Sequence, residues 1–489
     1  VRAALRWLGA EDDIPKSMEP LVRDARMDSG VAKDSGQLPV SEAEFLTLVR
    51  ACRVSEQKRI YTAFNEGNCS WFGTIDVNDL PRIFEEAGFL SVSPELLREF
   101  TTTCGFGHRD ELLFDDIMLL RERLRKTQCF GDAEAGEVGA AFEDFDHDGR
   151  GSIDHAELTS ALRWLGYPTT VAGIYAIEED LWLDHCRHVY SDDFLRFVAE
   201  YRDREVMYFR KALEKHRGGI PLPKLHALLA GLGYKMTSEQ TASIASSAPG
   251  PGGPGRRSTY NPDGLLGLWD LIRLAGQCRN EIRQQVRQNF GLLDKEVAGL
   301  CNAFNRHDPD RKGTITRDDL TAILKDLHSQ RGTAALERLE AVVRTVGGGA
   351  EGAVSFEDFL RVVRLLHDYA DWDVFRKLKR ALSDLGLNQD EVDGFREVFH
   401  KFGVSKPGMI SVREIMEMLV GIVPANATAE DPELVDLIRE AVGVGVLAKG
   451  VDFPDFMRVM LKLLRTDWHG INSCAGKIAR KVNPGHEPD

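Results

Sequence analysis

The sequence predicts an all-α protein, a tandem array of helix–loop–helix units that pair through short two-stranded ribbons. Three observations support this fold class. The stretch 142–165 has apolar residues at helical spacing on both sides of a polar loop. An apolar residue that suits the centre of a ribbon recurs about every 31 to 56 residues along the chain. Charged segments that favour helix join the units.

The loop at 146–157 carries oxygen donors in the order that a hard divalent cation needs. Calcium takes about six to eight oxygens, including carboxylates at loop positions 1 and 3, a backbone carbonyl at position 7 and a two-oxygen carboxylate at position 12. Gly151 stands at position 6, where the chain must turn sharply. The candidate ligands are therefore Asp146, Asp148, Ser152 through its carbonyl, Asp154 at position 9 and Glu157.

This spacing resembles the EF-hand of the calmodulin-like family of calcium-binding proteins. The resemblance implies an extended array of EF-hands, most of them degenerate, with Ca²⁺ bound at 146–157. Arg150 departs from the family, because position 5 usually carries Asp, Asn or Ser. An arginine adds positive charge and supplies no oxygen, so we expect it to weaken calcium binding by about one to two decades.

A second loop, at 308–319, follows the same frame with weaker chemistry. Lys312 at position 5 is again cationic, and Asp319 at position 12 is one methylene shorter than Glu, so two-oxygen ligation is harder. We expect Mg²⁺ to compete better with Ca²⁺ there. The candidate ligands are Asp308, Asp310, Thr314, Thr316 and Asp319.

The remaining loops keep the frame but lose most ligands, so we expect them to be metal-free. They are 68–79, 105–116, 182–193, 213–224, 347–358, 403–414 and 444–455. The loop at 259–270 is ambiguous and stays open. One cluster of zinc-type ligands has no matching second pair, so a degenerate loop is favoured over a zinc site. That cluster comprises Asp184, His185, Cys186 and His188.

Helix–loop–helix units should associate in pairs, because one unit cannot bury its apolar face alone. The predicted ribbon partners are Ile75 with Leu112, Ile153 with Val189, Ile220 with Leu266, Ile315 with Val354, Ile410 with Val451, and Val40 with a truncated N-terminal unit. The predicted domains are an incomplete pair at 1–52, degenerate pairs at 53–127, 203–277 and 388–466, the pair with the best loop at 133–202, the pair with the second loop at 292–368, and a frayed tail at 467–489.

Charged linkers are expected between these domains, at 121–138, 201–205, 278–297 and 368–392. The first resembles the helical connector between the two lobes of calmodulin. The fourth pair carries an insertion at 246–264, where proline and glycine indicate a surface loop.

Composition limits the class of function. The formal charge of −15 argues against unaided binding to nucleic acid or to an anionic membrane. No apolar run is long enough to span a membrane, and eight scattered cysteines favour reduced thiols in the cytoplasm or another intracellular compartment. No catalytic motif stands out, so we expect no enzyme activity.

Because residues 2–9 nearly repeat 160–166, we expect the chain to begin inside an outgoing helix.

The segment 372–387 is the main feature outside the loops. It combines an apolar stripe that includes Trp372 and Leu378 with a basic surround, as in the amphipathic helices that EF-hand lobes bind. One hypothesis is that it docks in the groove of a neighbouring lobe of this chain. The interpretation that we favour is a linker helix packed against the fifth and sixth lobes.

These features predict a calcium-binding, calmodulin-like sensor or adaptor that binds amphipathic helices of partner proteins through its lobes. One alternative is a largely calcium-independent EF-hand scaffold in a cytoskeletal or membrane-associated assembly. Another is the regulatory fragment of a longer enzyme. Methionine is scarce for a calmodulin-type groove, which counts against the sensor.

Overall fold

The computed structural model describes residues 41–66, 73–181, 183, 188–216, 219–247, 265–327, 342–343, 353–385, 389–402, 409–422, 432–443 and 450–471. Several predictions fall outside these residues: the first domain up to residue 40 with its Val40 pairing, the insertion from residue 248 to 264, and the tail from residue 472. The chain divides into two compact units, Val1–Tyr369 and Ala370–Asp489.

The described chain is mostly helical, as the all-α prediction requires. Its helices, in chain order, are α1 (Glu42–Glu66), α2 (Leu80–Glu86), α3 (Pro94–Thr103), α4 (Phe114–Lys126), α5 (Asp132–Phe145), α6 (His155–Trp164), α7 (Val171–Leu181), α8 (Ser191–Lys215), α9 (Leu225–Gly231), α10 (Ser238–Ser247), α11 (Leu268–Asn289), α12 (Asp294–His307), α13 (Arg317–Leu327), α14 (Phe356–Leu385), α15 (Gln389–Phe402), α16 (Val412–Ile422), α17 (Pro432–Val442) and α18 (Phe453–Arg465).

The strands of the described residues form two-stranded antiparallel sheets between consecutive loops. The pairs are β1 (Thr74–Asp76) with β2 (Glu111–Leu113), β3 (Ser152–Ile153) with β4 (Val189–Tyr190), β5 (Ile220–Pro221) with β6 (Leu265–Leu266), β7 (Thr314–Ile315) with β8 (Val354–Ser355), and β9 (Met409–Ile410) with β10 (Val451–Asp452).

The register of these ribbons confirms the predicted partners. The facing residues are Ile75 and Leu112, Ile153 and Val189, Ile220 and Leu266, Ile315 and Val354, and Ile410 and Val451. Each of these side chains is buried. Strands this short form few hydrogen bonds, so burial of the apolar centre is the main reason that the loops pair in this register.

The predicted linkers differ in structure. The linker at 201–205 lies inside the unbroken helix α8, and 368–385 lies inside α14. The segment 121–138 is not one continuous helical connector, because α4 ends at Lys126 and α5 begins at Asp132. Between them Phe130 is fully buried, and its burial turns the chain inward.

One arginine of a distant helix stabilises this break. Arg202 of α8 donates to the carbonyls of Gln128 and Cys129, each at 2.9 Å, and its guanidinium lies 3.8 Å from the centre of the Phe130 ring. These carbonyls lie beyond the end of α4, where no intrahelical donor reaches them, so this contact stabilises the turn that replaces the expected helix.

In the second unit, residues 372–385 of the segment predicted at 372–387 form the second half of α14. Trp372 is buried, and Leu378, Ala381 and Leu382 pack in a cluster with residues of α15 and α18, including Met457. The apolar stripe of this segment therefore contacts the predicted sixth lobe.

The prediction of a frayed tail from residue 467 is wrong for its first residues. Trp468 and Ile471 are buried in the core formed by α15 to α18. Burial of a tryptophan side chain strongly favours an ordered end, so the sixth core extends at least to residue 471. Within the described residues, no helix combines the length and apolar character needed to cross a membrane.

Candidate functional site

The loop at 146–157 is shaped by its own carboxylates. Asp146 Oδ1 accepts a hydrogen bond from the Arg150 amide at 3.1 Å, and its Oδ2 accepts one from the Gly151 amide at 2.7 Å. Gly151 has φ of +73°, a backbone conformation that strains any residue with a Cβ. The position-1 aspartate and the position-6 glycine thus close the turn together.

The exit of the loop is the start of α6. Asp154 caps this helix, since its Oδ1 accepts from the amides of Ala156 at 2.8 Å and Glu157 at 3.0 Å. Glu157 completes the capping box, because its Oε2 accepts from the Asp154 amide at 2.8 Å. Positions 9 and 12 are therefore bonded to the first turn of the helix.

Negative charge crowds this loop. The pKa of Glu157 is raised to about 8, first by burial and then by the charges of Asp154, Asp148 and Asp146, while the bond from the Asp154 amide acts in the opposite direction. A divalent cation among these carboxylates would relieve that repulsion. The charge distribution of the loop therefore fits a calcium ion.

Arg150, the cation at position 5, turns outward. Its Nε lies 3.0 Å from Asp148 Oδ2, and its side chain is 69% exposed. Solvent weakens the field of such an exposed charge, so its electrostatic cost is smaller than the sequence suggested. The contact with Asp148 nevertheless competes for a candidate ligand.

The loop at 308–319 has the same turn with different bonds at its exit. Asp308 accepts from the amides of Lys312 at 2.9 Å and Gly313 at 2.7 Å. Asp319 accepts from the Thr316 hydroxyl at 2.6 Å and lies 3.1 Å from His307 Nδ1. These hydrogen bonds, that of Thr316 first, lower the pKa of Asp319.

The two candidate ligand sets are placed on single loops, as predicted, but their side chains point to backbone partners. Within the described residues, no three His, Cys, Asp or Glu side chains converge closely enough to hold a metal ion. For two-oxygen ligation, Glu157 must turn away from the Asp154 amide and into the loop. The ligand assignments at both loops stay predictions. In the zinc-type cluster, only His188 lies among the described residues.

Two curated proteins are similar to parts of this chain. The probable calcium-binding protein CML35 of Arabidopsis thaliana is 26% identical over 182 residues, which cover 37% of this chain and 72% of that protein. The type 2 calcineurin B subunit of Dictyostelium discoideum is 22% identical over 180 residues, which cover 36% of this chain and 83% of that protein. These relatives support an EF-hand calcium-binding family for the chain. No protein-family model matches it.

Helix capping explains why an acidic residue recurs at loop position 12 even where the other candidate ligands are lost. In six loops the position-12 carboxylate accepts from the position-9 amide, at 2.7 to 3.4 Å. The donor and acceptor pairs are Leu113 and Asp116, Asp154 and Glu157, Gly267 and Asp270, Thr316 and Asp319, Ser355 and Asp358, and Ser411 and Glu414. Helix capping alone is worth about 0.5 to 2 kcal/mol, so this carboxylate by itself does not indicate a metal site.

A lysine occupies the acidic exit of the predicted loop at 444–455. Lys377 Nζ lies 2.7 Å from Asp452 Oδ2 and also contacts Asp455 Oδ2. Asp452 and Asp455 stand at loop positions 9 and 12, and Asp455 is buried. The ammonium of α14 thus lies against carboxylates that a cation would contact in a metal-binding loop.

Sequence reasoning missed a second group of residues beside the first loop. Asp368 and Tyr369 of α14 contact α6 and Asp154, more than 200 positions earlier in the chain. In the sequence, Asp368 and Tyr369 stand in a stretch that predicts only a helix. No local pattern could have identified them, since the contact depends on how the helices pack.

Proposed function

We propose that this chain is a calcium-binding protein without enzyme activity, and that its ion binds at the EF-hand loop 146–157. The supporting observation is the concentration of four carboxylates on that loop, with the crowding of charge at Glu157. A calcium ion would be held by Asp146, Asp148, Asp154, Glu157 and the Ser152 carbonyl. It would supply positive charge that draws the helix start and the turn together.

The second loop, 308–319, is proposed as a weaker site that Mg²⁺ also occupies. Its shorter position-12 side chain is already bonded to Thr316 and His307. Calcium must compete with both of these partners for Asp319. A small ion that keeps some of its water molecules needs fewer protein oxygens.

The tandem pairing of EF-hand units further suggests a sensor or adaptor that binds amphipathic helices of partner proteins. One relative is named a calcium-binding protein, and the other is named a subunit, which implies a protein partner. Among the described residues, Cys104, Cys129, Cys278 and Cys301 are free thiols. Free thiols favour an intracellular location.

A calcium-independent scaffold is the second candidate function. The contact of Lys377 with Asp452 and Asp455 favours it, because a fixed ammonium balances these carboxylates without an ion. In this alternative the EF-hand pairs act as docking modules in a cytoskeletal or membrane-associated assembly.

Calorimetric calcium titration of the full chain tests the proposed function, with about 1 mM Mg²⁺ present to mask weak sites. The wild type is expected to bind with a dissociation constant on the order of 10⁻⁵ to 10⁻⁴ M. Glu157→Gln should abolish this binding, because it removes the negatively charged, two-oxygen ligand.

Asp319→Asn is the matched control, since it affects only the second loop. It should leave unchanged the heat of calcium binding at the first site. Trp164 reports on the same event, because it stacks on Phe290 with ring centres 5.7 Å apart and meets the Phe145 ring edge-on. Identical isotherms for the wild type and Glu157→Gln, with unchanged tryptophan fluorescence, would favour the scaffold.

A further inference from the structure

We propose that Asp368 and Tyr369 of α14 form a latch that holds α6, the outgoing helix of loop 146–157, and thereby lowers the calcium affinity of that loop. This inference rests on the proposed function, since it concerns regulation of the same site. The latch consists of Asp368 and Tyr369 with their partners on α6 and Asp154. All of these residues lie in the first unit.

The first contact of the latch reaches a candidate ligand. The Tyr369 hydroxyl donates a hydrogen bond to Asp154 Oδ2. The other oxygen, Oδ1, already accepts from the amides of Ala156 and Glu157. Both carboxylate oxygens of position 9 are therefore engaged by protein donors. To hold a water molecule on a bound ion, Asp154 must share or give up one of these bonds.

The second contact of the latch holds α6 about two turns further along the helix. Asp368 is almost completely buried and accepts both ends of the Arg163 guanidinium at 2.8 Å. It also accepts from the Ser160 hydroxyl at 2.6 Å and from Arg364 Nη2 at 2.6 Å. Bidentate, buried and charge-assisted bonds of this kind are among the strongest in proteins.

These contacts oppose ion binding because of the position of Glu157. Its Oε2 is bonded to the Asp154 amide in the first turn of α6, and two-oxygen ligation requires that the side chain leave this partner. Any accompanying shift of the first turn is transmitted along the rigid helix to Ser160 and Arg163. The free energy needed to loosen the latch is then subtracted from that of calcium binding.

The coupling is reciprocal. If the latch weakens calcium binding, bound calcium must weaken the latch by the same factor. Calcium would then release α6 from the first half of α14. The latch would make α14 the element that responds to the ion, in addition to the helices that flank the loop.

Two mild substitutions in the full chain test this proposal. Tyr369→Phe removes only the hydroxyl that reaches Asp154, and Ser160→Ala removes one bond to Asp368 while leaving its arginine partners in place. The matched control is Tyr61→Phe, since Tyr61 is half exposed on α1 and contacts the Phe114 ring, away from the latch. Each latch variant should bind calcium about threefold to tenfold more tightly, the net contribution of one typical hydrogen bond.

A calcium-free measurement tests the latch itself. Hydrogen exchange of the α6 amides should be faster in both latch variants than in the wild type or Tyr61→Phe. Calcium binding by the wild type that becomes tighter in both latch variants would support both proposals. Unchanged or weaker affinity in both variants, with normal binding in the wild type, would overturn the latch and leave the proposed function intact. Absence of calcium binding from every variant would overturn the proposed function and the regulatory role together, even if hydrogen exchange showed the physical contact.

Discussion

The loops 146–157 and 444–455 have the same frame but balance their charge in different ways. In both, carboxylates stand at positions 9 and 12, beside an antiparallel ribbon. In the first, Glu157 and Asp154 are bonded to backbone amides and to Tyr369, and their charges repel one another. In the second, the Lys377 ammonium lies against Asp452 and Asp455.

The difference shows that the carboxylates at a loop exit can be satisfied either by backbone amides and a hydroxyl or by the ammonium of a lysine. A lysine supplies its positive charge permanently, and it cannot be exchanged when the calcium concentration changes. The first loop has no such lysine among its described contacts, and its cation Arg150 is directed to Asp148 and solvent. In our proposal the first of these two loops is therefore the one that binds a free ion.

The largest loss of folding stability is expected from a substitution that unbalances the buried charges beside the first loop. Asp368→Asn leaves Arg163 and Arg364 without their buried anion, and it should lower the free energy of unfolding by about 3 kcal/mol. Chemical denaturation of the full chain, followed by circular dichroism, measures this change. Asp384→Asn, on the exposed face of the same helix, should change stability by less than about 0.5 kcal/mol.

The pH dependence checks the mechanism of this loss. Burial alone would raise the pKa of Asp368, but the charges and hydrogen bonds of Arg163 and Arg364 outweigh it and hold the pKa below its usual value. Such a carboxyl gives its full stability above the pKa of the unfolded chain, about 4, and loses it as the pH falls through the folded value. The stability difference between wild type and Asp368→Asn should shrink below about pH 4. A difference that stays constant down to pH 2 would contradict the ion-pair explanation.

A smaller loss of stability is expected at the loop 444–455. Lys377→Met leaves the buried Asp455 with Arg458 as its remaining cation, at 3.0 Å. Because Lys377 is itself partly exposed, we expect a loss of about 1 to 2 kcal/mol in thermal denaturation. The control Lys462→Met breaks an exposed pair with Glu440 and should cost less. Equal effects would mean that the ammonium has no special role at this loop.

The smallest expected effect is a change in calcium affinity when the cation of loop 146–157 is removed. Arg150→Ala removes an exposed charge and frees Asp148, and it should tighten calcium binding about twofold to fivefold. Lys312→Ala, the corresponding change in the second loop, should leave the first site unchanged. A gain of one hundredfold would show that Arg150 acts inside the loop, contrary to its outward orientation.

The sequence predicted the repeated helix–loop–helix units and their ribbons, because these depend on short stretches of the chain. Apolar residues at loop position 8 predicted all five described ribbons, because each pairs with the same position of the next loop. The break between α4 and α5 was missed, since it depends on the burial of Phe130 and on Arg202 from a distant helix.

The sequence predicted which residues of the loop are candidate ligands, but it did not predict which distant residues contact them. The oxygen donors of 146–157 follow from residue type and spacing, which the sequence alone determined. Only the tertiary structure decided that Tyr369 would reach Asp154 across 215 positions, and that Lys377 would lie between Asp452 and Asp455. Spacing along one loop is fixed by local backbone geometry, whereas contacts between distant segments depend on how their helices pack.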